Sequence, residues 1–229
     1  MSTFLIGEEY KVVQEELDSF GVSTLLLPKN NSLPEEISSH ADILAFSYKN
    51  KLFLSDHVKG DRARLFGDRK VTFIKDVKAP YPKDCKLNVC LLKDKLFCNT
   101  NAISSEIYNT VKEDGVQIIH TNQGYTKCSI CVINDNTVIT EDDKLSSLLK
   151  IYQINVLTIS KGYVHLSDKH YGFIGGCASM IADNRLYFNG DISKHPNYRQ
   201  IQDFLYKAQV DLVFNSNRPL TDFGGLVAI

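Results

Sequence analysis

Cysteines and a few carboxylates are the residues whose placement could do chemistry. Cys177 directly follows Gly175-Gly176, Cys128 opens the apolar run Ser129–Ile133, and Cys85 stands just ahead of another apolar run. Counted back from the turns that follow them, the three occupy roughly equivalent ends of first strands. A thiolate is a nucleophile or a metal ligand when its surroundings depress its pKa, so these three are candidate reactive groups, with Cys177 and Cys128 as the candidate catalytic pair. Cysteine is also small and readily buried, and a packed, inert role stands beside the reactive one. Cys128-x-x-Cys131 has the spacing of a redox or zinc pair. The run SICVI reads as a strand, however, where residues three apart face opposite sides of a sheet. No second such pair completes a zinc site, so no metal and no cofactor is assigned.

The polar candidates lie late in the chain. Asp222 is the carboxylate placed to meet a cationic ligand, or else to hold the turn beside Gly224. Asn217 is grouped with it, and His170-Tyr171 precedes the Gly-Gly run, at the mouth of a strand. The segment Asp191–Tyr198 (DISKHPNY) holds His195 between Asp, Ser and Asn. Around a proline ahead of a helix this is ordinary N-terminal chemistry, which is the reading preferred here. Neither Gly-Gly pair has the spacing of a phosphate-binding loop.

The elements that must hold these residues repeat along the chain. Four segments read apolar strand, Asn/Asp-rich turn, apolar strand: Ile43–Ser55, Leu87–Asn99, Ser129–Thr140 and Cys177–Asn189. Asn50, Asp94, Asn134-Asp135-Asn136 and Asp183-Asn184 are the turn formers, because Asn and Asp tolerate the left-handed backbone of tight hairpins. Amphipathic helices are expected over Tyr10–Phe20, Ile103–Asp114, Lys144–Gln153 and Tyr198–Ala208, each leading through a Gly-Val-like step into a strand. The second unit departs from this pattern. Its helix is short or missing, Lys59–Arg69 reads as a charged loop or short helix, and Val71–Ile74 is the strand.

The ends carry the sharpest inference. Thr3–Leu27 aligns without gaps on the stretch from Thr137, with Val22 over Val156, and Gly224–Ile229 resembles Gly175–Met180. The chain thus begins and ends inside a unit. Pairing Leu226–Ile229 with Thr3–Ile6 closes a ring of five units and removes exposed sheet edges. Residues 1–229 are read as a single domain.

Composition bounds the rest. A net charge of −1 and a pI near 6.6 give no basic excess for phosphate backbones, so no nucleic-acid partner is expected. No apolar run is long enough to span a bilayer, and the N-terminus lacks a signal pattern. Six cysteines in a chain of this length read as reduced thiols in a cytoplasm.

A five-unit ring of such modules resembles the pentein, or guanidine-modifying-enzyme, fold, a five-fold pseudosymmetric α/β propeller of class α/β. The strings Gln123–Thr140, Tyr171–Ile181, Gly190–Leu205 and Leu220–Gly225 are similar to those of an uncharacterised bacterial family of that fold. The resemblance implies a cysteine nucleophile on the last strand, a mid-chain histidine motif and carboxylates that grip a guanidinium. A planar cation suits paired carboxylates, a thiolate attacks its carbon, and histidine moves protons. In this sequence the nucleophile position falls at Ala228 or a neighbour, and the histidine motif lines up with Gly124-Tyr125-Thr126-Lys127. The standard machinery is therefore missing. Tyr125 and Lys127 join Asp222, Asn217 and His170 as expected ligand contacts. Two readings stay open: a small-molecule site at the ring axis for an amino-acid-like or guanidino ligand, with thiol-dependent hydrolase or transferase chemistry if it is an enzyme, and a non-catalytic protein that binds a macromolecule. The oligomeric state is not legible.

Overall fold

The structure, a computed structural model, describes residues 3–58 and 66–229. In chain order the elements are β1 (Thr3–Gly7), α1 (Lys11–Ser19), β2 (Ser23–Leu27), a single turn α2 (Ala41–Leu44), β3 (Ala45–Tyr48), β4 (Lys51–Ser55), β5 (Lys70–Ile74), β6 (Cys90–Leu92) and β7 (Lys95–Cys98). There follow α3 (Ser105–Glu113), β8 (Gln117–His120), β9 (Ile130–Asn134), β10 (Thr137–Thr140), α4 (Asp143–Ile151), β11 (Asn155–Thr158), β12 (Ala178–Ala182), β13 (Arg185–Phe188), α5 (Tyr198–Lys207), β14 (Asp211–Phe214) and β15 (Val227–Ala228). They form five three-stranded sheets, in each of which the middle strand runs antiparallel to one neighbour and parallel to the other. The chain divides into two compact units, residues 1–126 with 226–229, and residues 127–225. The first holds the sheets of β1, β4 and β7; the second holds those of β10 and β13.

The middle strands decide where the cores lie. β4 (KLFLS), β7 (KLFC), β10 (TVIT) and β13 (RLYF) are buried on both faces, which is why they read as continuous apolar runs and do not alternate. The parallel third strands, on the outside, are only half-buried. Among the described residues four helices make crossovers, and each buries one pair of apolar residues four apart: Val13 and Leu17, Ile107 and Val111, Leu145 and Leu149, Ile201 and Leu205. Each helix ends in one residue of positive φ (Gly21, Gly115, Gln153, Gln209). The next amide returns to a helix carbonyl five residues back, as in Val22 N–H to Leu17 O and Ile154 N–H to Leu149 O. This is the cap expected at the Gly-Val step, built with glutamine in two of the four.

Several expectations are corrected. The left-handed turn residues of the first two hairpins are Lys49 and Lys93, not Asn50 and Asp94. The Asn/Asp residues serve differently. The main-chain carbonyls of Asn50, Asp94, Asn136 and Asn184 each accept the first amide of the adjacent third strand, from Lys70, Gln117, Asn155 and Asp211, at 2.7–2.9 Å. Ile43 and Leu44 are helical, so the first hairpin strand begins at Ala45. Cys85 closes a 3-10 turn, while Cys128 and Cys177 lie just before β9 and β12, so none of these three is on a strand, whereas Cys131 is. The gap-free alignment fails by two residues. Thr3 pairs with Ser23 where Thr137 pairs with Asn155, so the equivalent of Val22 is Ile154, and two additional residues lie between β1 and α1. In the second of the five repeats Val71–Ile74 falls within β5 and a 3-10 turn spans Asp56–Val58, while residues 59–65 of the expected charged segment lie outside the described residues.

The terminal pairing is present as expected. Phe4 pairs with Ala228 and Leu5 with Val227, antiparallel, and Ile229 N–H reaches Thr3 O at 2.8 Å. β1 is thereby an interior strand, with Leu5 and Ile6 fully buried.

The end of β1 offers a test of how tightly this unit is packed. A Cβ on Gly7 would sit 1.7 Å from the Ser39 carbonyl oxygen, whereas at Gly21 (φ +76°) nothing lies within 4 Å. Gly7→Ala should cost about 3 kcal/mol or more, and Gly21→Ala only about 1 kcal/mol, in urea unfolding of the two variants. Equal losses would mean that the Ser39 backbone gives way to a Cβ at Gly7.

Candidate functional site

Within residues 127–225, a cleft of about 890 Å³ opens where three loops meet. Glu141 follows the last residue of β10, Lys161–Tyr163 follow β11, and Tyr171–Phe173 precede β12. Asp142 accepts the amides of Lys144 and Leu145 as the N-cap of α4, which fixes the start of the helix beside Glu141. Tyr163 and Tyr171 are exposed on the rim.

Glu141 is the chemically unusual group. It is 8% exposed; its Oε1 accepts the Ile174 amide at 3.2 Å, and its Oε2 is buried with no hydrogen-bond partner among the described residues. Burial pushes its carboxyl up to about 7, with the charges of Asp222 and Asp142 in the same direction; the Ile174 amide and Lys161 oppose.

Asp222 lies behind this wall. It is 3% exposed, and its oxygens accept the amides of Phe173 (2.8 Å) and Gly224 (3.0 Å). A Cβ on Gly172 would lie 2.4 Å from the Asp222 Cβ, and one on Gly176 would lie 2.1 Å from Oδ1. The strings YGFIGGC and LTDFGG therefore close on each other, and Gly176 O accepts the amides of Phe223 and Gly225 in return.

The expected site residues scatter about this centre. Cys177 is fully buried, its thiol donates to Ile174 O at 3.2 Å, and burial holds its pKa well above the ordinary thiol value, with the charges of Asp222, Cys131 and Glu141 adding to this. Cys131, also fully buried, is pushed up to about 12 by burial. Cys128 is buried in the turn before β9, and the half-buried Lys127 lends its carbonyl to Ile130 N–H. His170 is exposed in an adjoining cleft of about 520 Å³ that shares Tyr163 and Tyr171 with the first. Asn217 is exposed, lies in a turn capped by Asn215, and lines neither cleft. Tyr125 belongs to the other unit, where its hydroxyl donates to the buried Asp84 at 2.8 Å; burial raises the pKa of Cys85 beside it. His195 accepts the Asn197 amide on Nδ1, so its Nε2–H faces Ser160 O, a structural arrangement at the start of α5.

Sequence reasoning missed Glu141, Lys161, Tyr163 and Phe173. An acid next to Asp142 at a helix start looks like first-turn charge. The one signal available was that two Gly-Gly strings need something polar and close between them.

The chain belongs to the family described as a family of unknown function, DUF6873, whose model matches residues 5–227. No curated protein matches the sequence. Among solved structures, the chain is similar to a dimethylarginine dimethylaminohydrolase adduct with 4-chloro-2-hydroxymethylpyridine (TM-score 0.60, 8% identity, covering 93% of this chain and 92% of that one). It is also similar to an agmatine deiminase from C. jejuni (0.55, 12%, 94% and 86%) and to DDAH from Pseudomonas aeruginosa complexed with citrulline (0.55, 9%, 91% and 80%). At these identities the fold is what is shared, and it is the pentein fold expected from the sequence.

Glu141 makes stability depend on pH. Its folded-state value lies above its ordinary 4.5, so the folded state holds the extra proton and stability falls as pH rises from about 4.5 to about 7, then levels, by about 3 kcal/mol in all. Chemical unfolding across that range should show the decline in the wild type and not in Glu141→Gln. A parallel decline in both would assign it elsewhere.

Proposed function

We propose that residues 127–225 bind a small cationic, amino-acid-like or guanidino molecule in the Glu141 cleft, without a cysteine nucleophile. The observation that carries this reading is Glu141 Oε2, a buried carboxylate oxygen without a donor in a cleft large enough for a metabolite. A buried carboxylate needs a partner or a proton, and an ammonium or guanidinium supplies charge and N–H together. Tyr163, Tyr171 and Phe173 line the cleft, and aromatic rings attract planar or alkyl cations. The fold neighbours add support, since two are named for action on dimethylarginine and agmatine. Thiol chemistry is disfavoured because burial raises Cys177, Cys131, Cys85 and Cys98 alike, which suppresses the thiolate. The six free cysteines fit a reducing compartment. No helix among the described residues is long and apolar enough to cross a membrane.

Calorimetry with agmatine and arginine tests the reading. Because the cation pairs with the ionised carboxylate, affinity should rise about tenfold between about pH 6 and about pH 8 and be lost in Glu141→Gln. Binding that is indifferent to pH and to the substitution would sink it. A second check addresses the thiols. Iodoacetamide at about pH 8 should modify Cys177 only as fast as the protein unfolds, whereas one fast-reacting cysteine in the native protein would restore a nucleophile.

A further inference from the structure

Two successive amides of the cleft wall are held by two different buried carboxylates. Phe173 N–H donates to Asp222 and Ile174 N–H to Glu141, at 2.8 and 3.2 Å. The same loop supplies Tyr171, Gly172 and Phe173 to the cleft. The two anchors differ in kind. Asp222 has a backbone donor on each oxygen, while Glu141 has one donor on Oε1 and none on Oε2. We infer that Glu141 is a proton-operated anchor for this wall: ionised, it holds the Ile174 amide; protonated, it slackens; a cation in the cleft takes the proton's place and locks the wall.

The groups that face Glu141 set the poise. Asp222 and Asp142 favour its protonation, and Lys161 and the Ile174 amide oppose it; the buried Cys177 thiol stays protonated. Together with burial they bring the carboxyl to about 7, so both forms are populated near neutrality. Hydrogen bonds to an ionised acceptor are roughly twice as strong as neutral ones, which makes the Ile174 contact depend on the proton. The exchange balances: a cationic ligand arrives with its own charge, and the Glu141 proton leaves to solvent. Only this ligand step rests on the function proposed above; the proton step stands on the ligand-free geometry.

Amide NMR of the full chain tests it, with hydrogen exchange as a second readout. From about pH 6 to about pH 8 the Ile174 amide should move downfield with a midpoint near 7, and its protection, corrected for intrinsic exchange, should rise about three- to tenfold. The Phe173 amide, on Asp222, should move much less, and Glu141→Gln should leave Ile174 flat. Agmatine added at about pH 6 should carry Ile174 to its high-pH position and release protons, read by calorimetry in two buffers of different ionisation enthalpy. A flat Ile174 in the wild type, or an unchanged titration in Glu141→Gln, overturns the anchor. Agmatine heat without movement of Ile174 overturns the coupling and leaves the binding reading standing. A titrating Ile174 with no agmatine binding supports the anchor and defeats the cation reading.

Discussion

A carboxylate removed from water has to be repaid in hydrogen bonds, and at Asp222 that requirement organises the loops around it. An ion left unpaired there would cost several kcal/mol. The amides of Phe173 and Gly224 meet its oxygens, and they reach them because Gly172 and Gly176 carry no Cβ. The rest of the wall follows. Phe173 is placed at the cleft, Ile174 is turned toward Glu141, and the Ile174 carbonyl is left to receive the Cys177 thiol. The residue singled out in the sequence to meet a cation thus has its oxygens engaged by the backbone.

The neighbouring carboxylate has the opposite environment. Glu141 is buried almost as deeply, yet one of its oxygens has no donor, and its proton affinity rises accordingly. Two acids with contrasting surroundings, holding the amides of two successive residues, are the usual mark of a site where charge is handled and not merely stored. Sharing a fold with dimethylarginine dimethylaminohydrolase and agmatine deiminase does not settle which chemistry is handled, because function resides in the site.

Much of the fold was legible because its signals are local. Asn50, Asp94, Asn136 and Asn184 mark the hairpins, and helix faces such as Leu145 with Leu149 show their period. The join of Val227 and Ala228 to β1 was legible for a different reason: Gly224–Ile229 repeats the pattern of Gly175–Met180 without a turn after it. What escaped was three-dimensional. The two-residue offset after β1 is invisible to an alignment that matches apolar letters, since Val22 fits over Val156 as well as over Ile154. Glu141 escaped because its burial is imposed by loops far along the chain, and nothing in Thr140-Glu141-Asp142 distinguishes it from a solvated helix start. Cys128 and Cys177 drew attention because cysteine is conspicuous as a letter; both are buried, and burial raises the pKa of the Cys177 thiol.

The turn carbonyls of Asn50, Asp94, Asn136 and Asn184 have one more consequence. Because each receives the first amide of its third strand, strand register is pinned at the hairpin tip, remote from the helix entrance. Length changes at the entrance, such as the surplus after Gly7, leave pairing undisturbed. Relatives of this chain should therefore differ in length chiefly ahead of their crossover helices. That same junction, where Glu141 follows the middle strand of the fourth sheet, is where the scaffold can vary the side chains of the cleft without renegotiating its core.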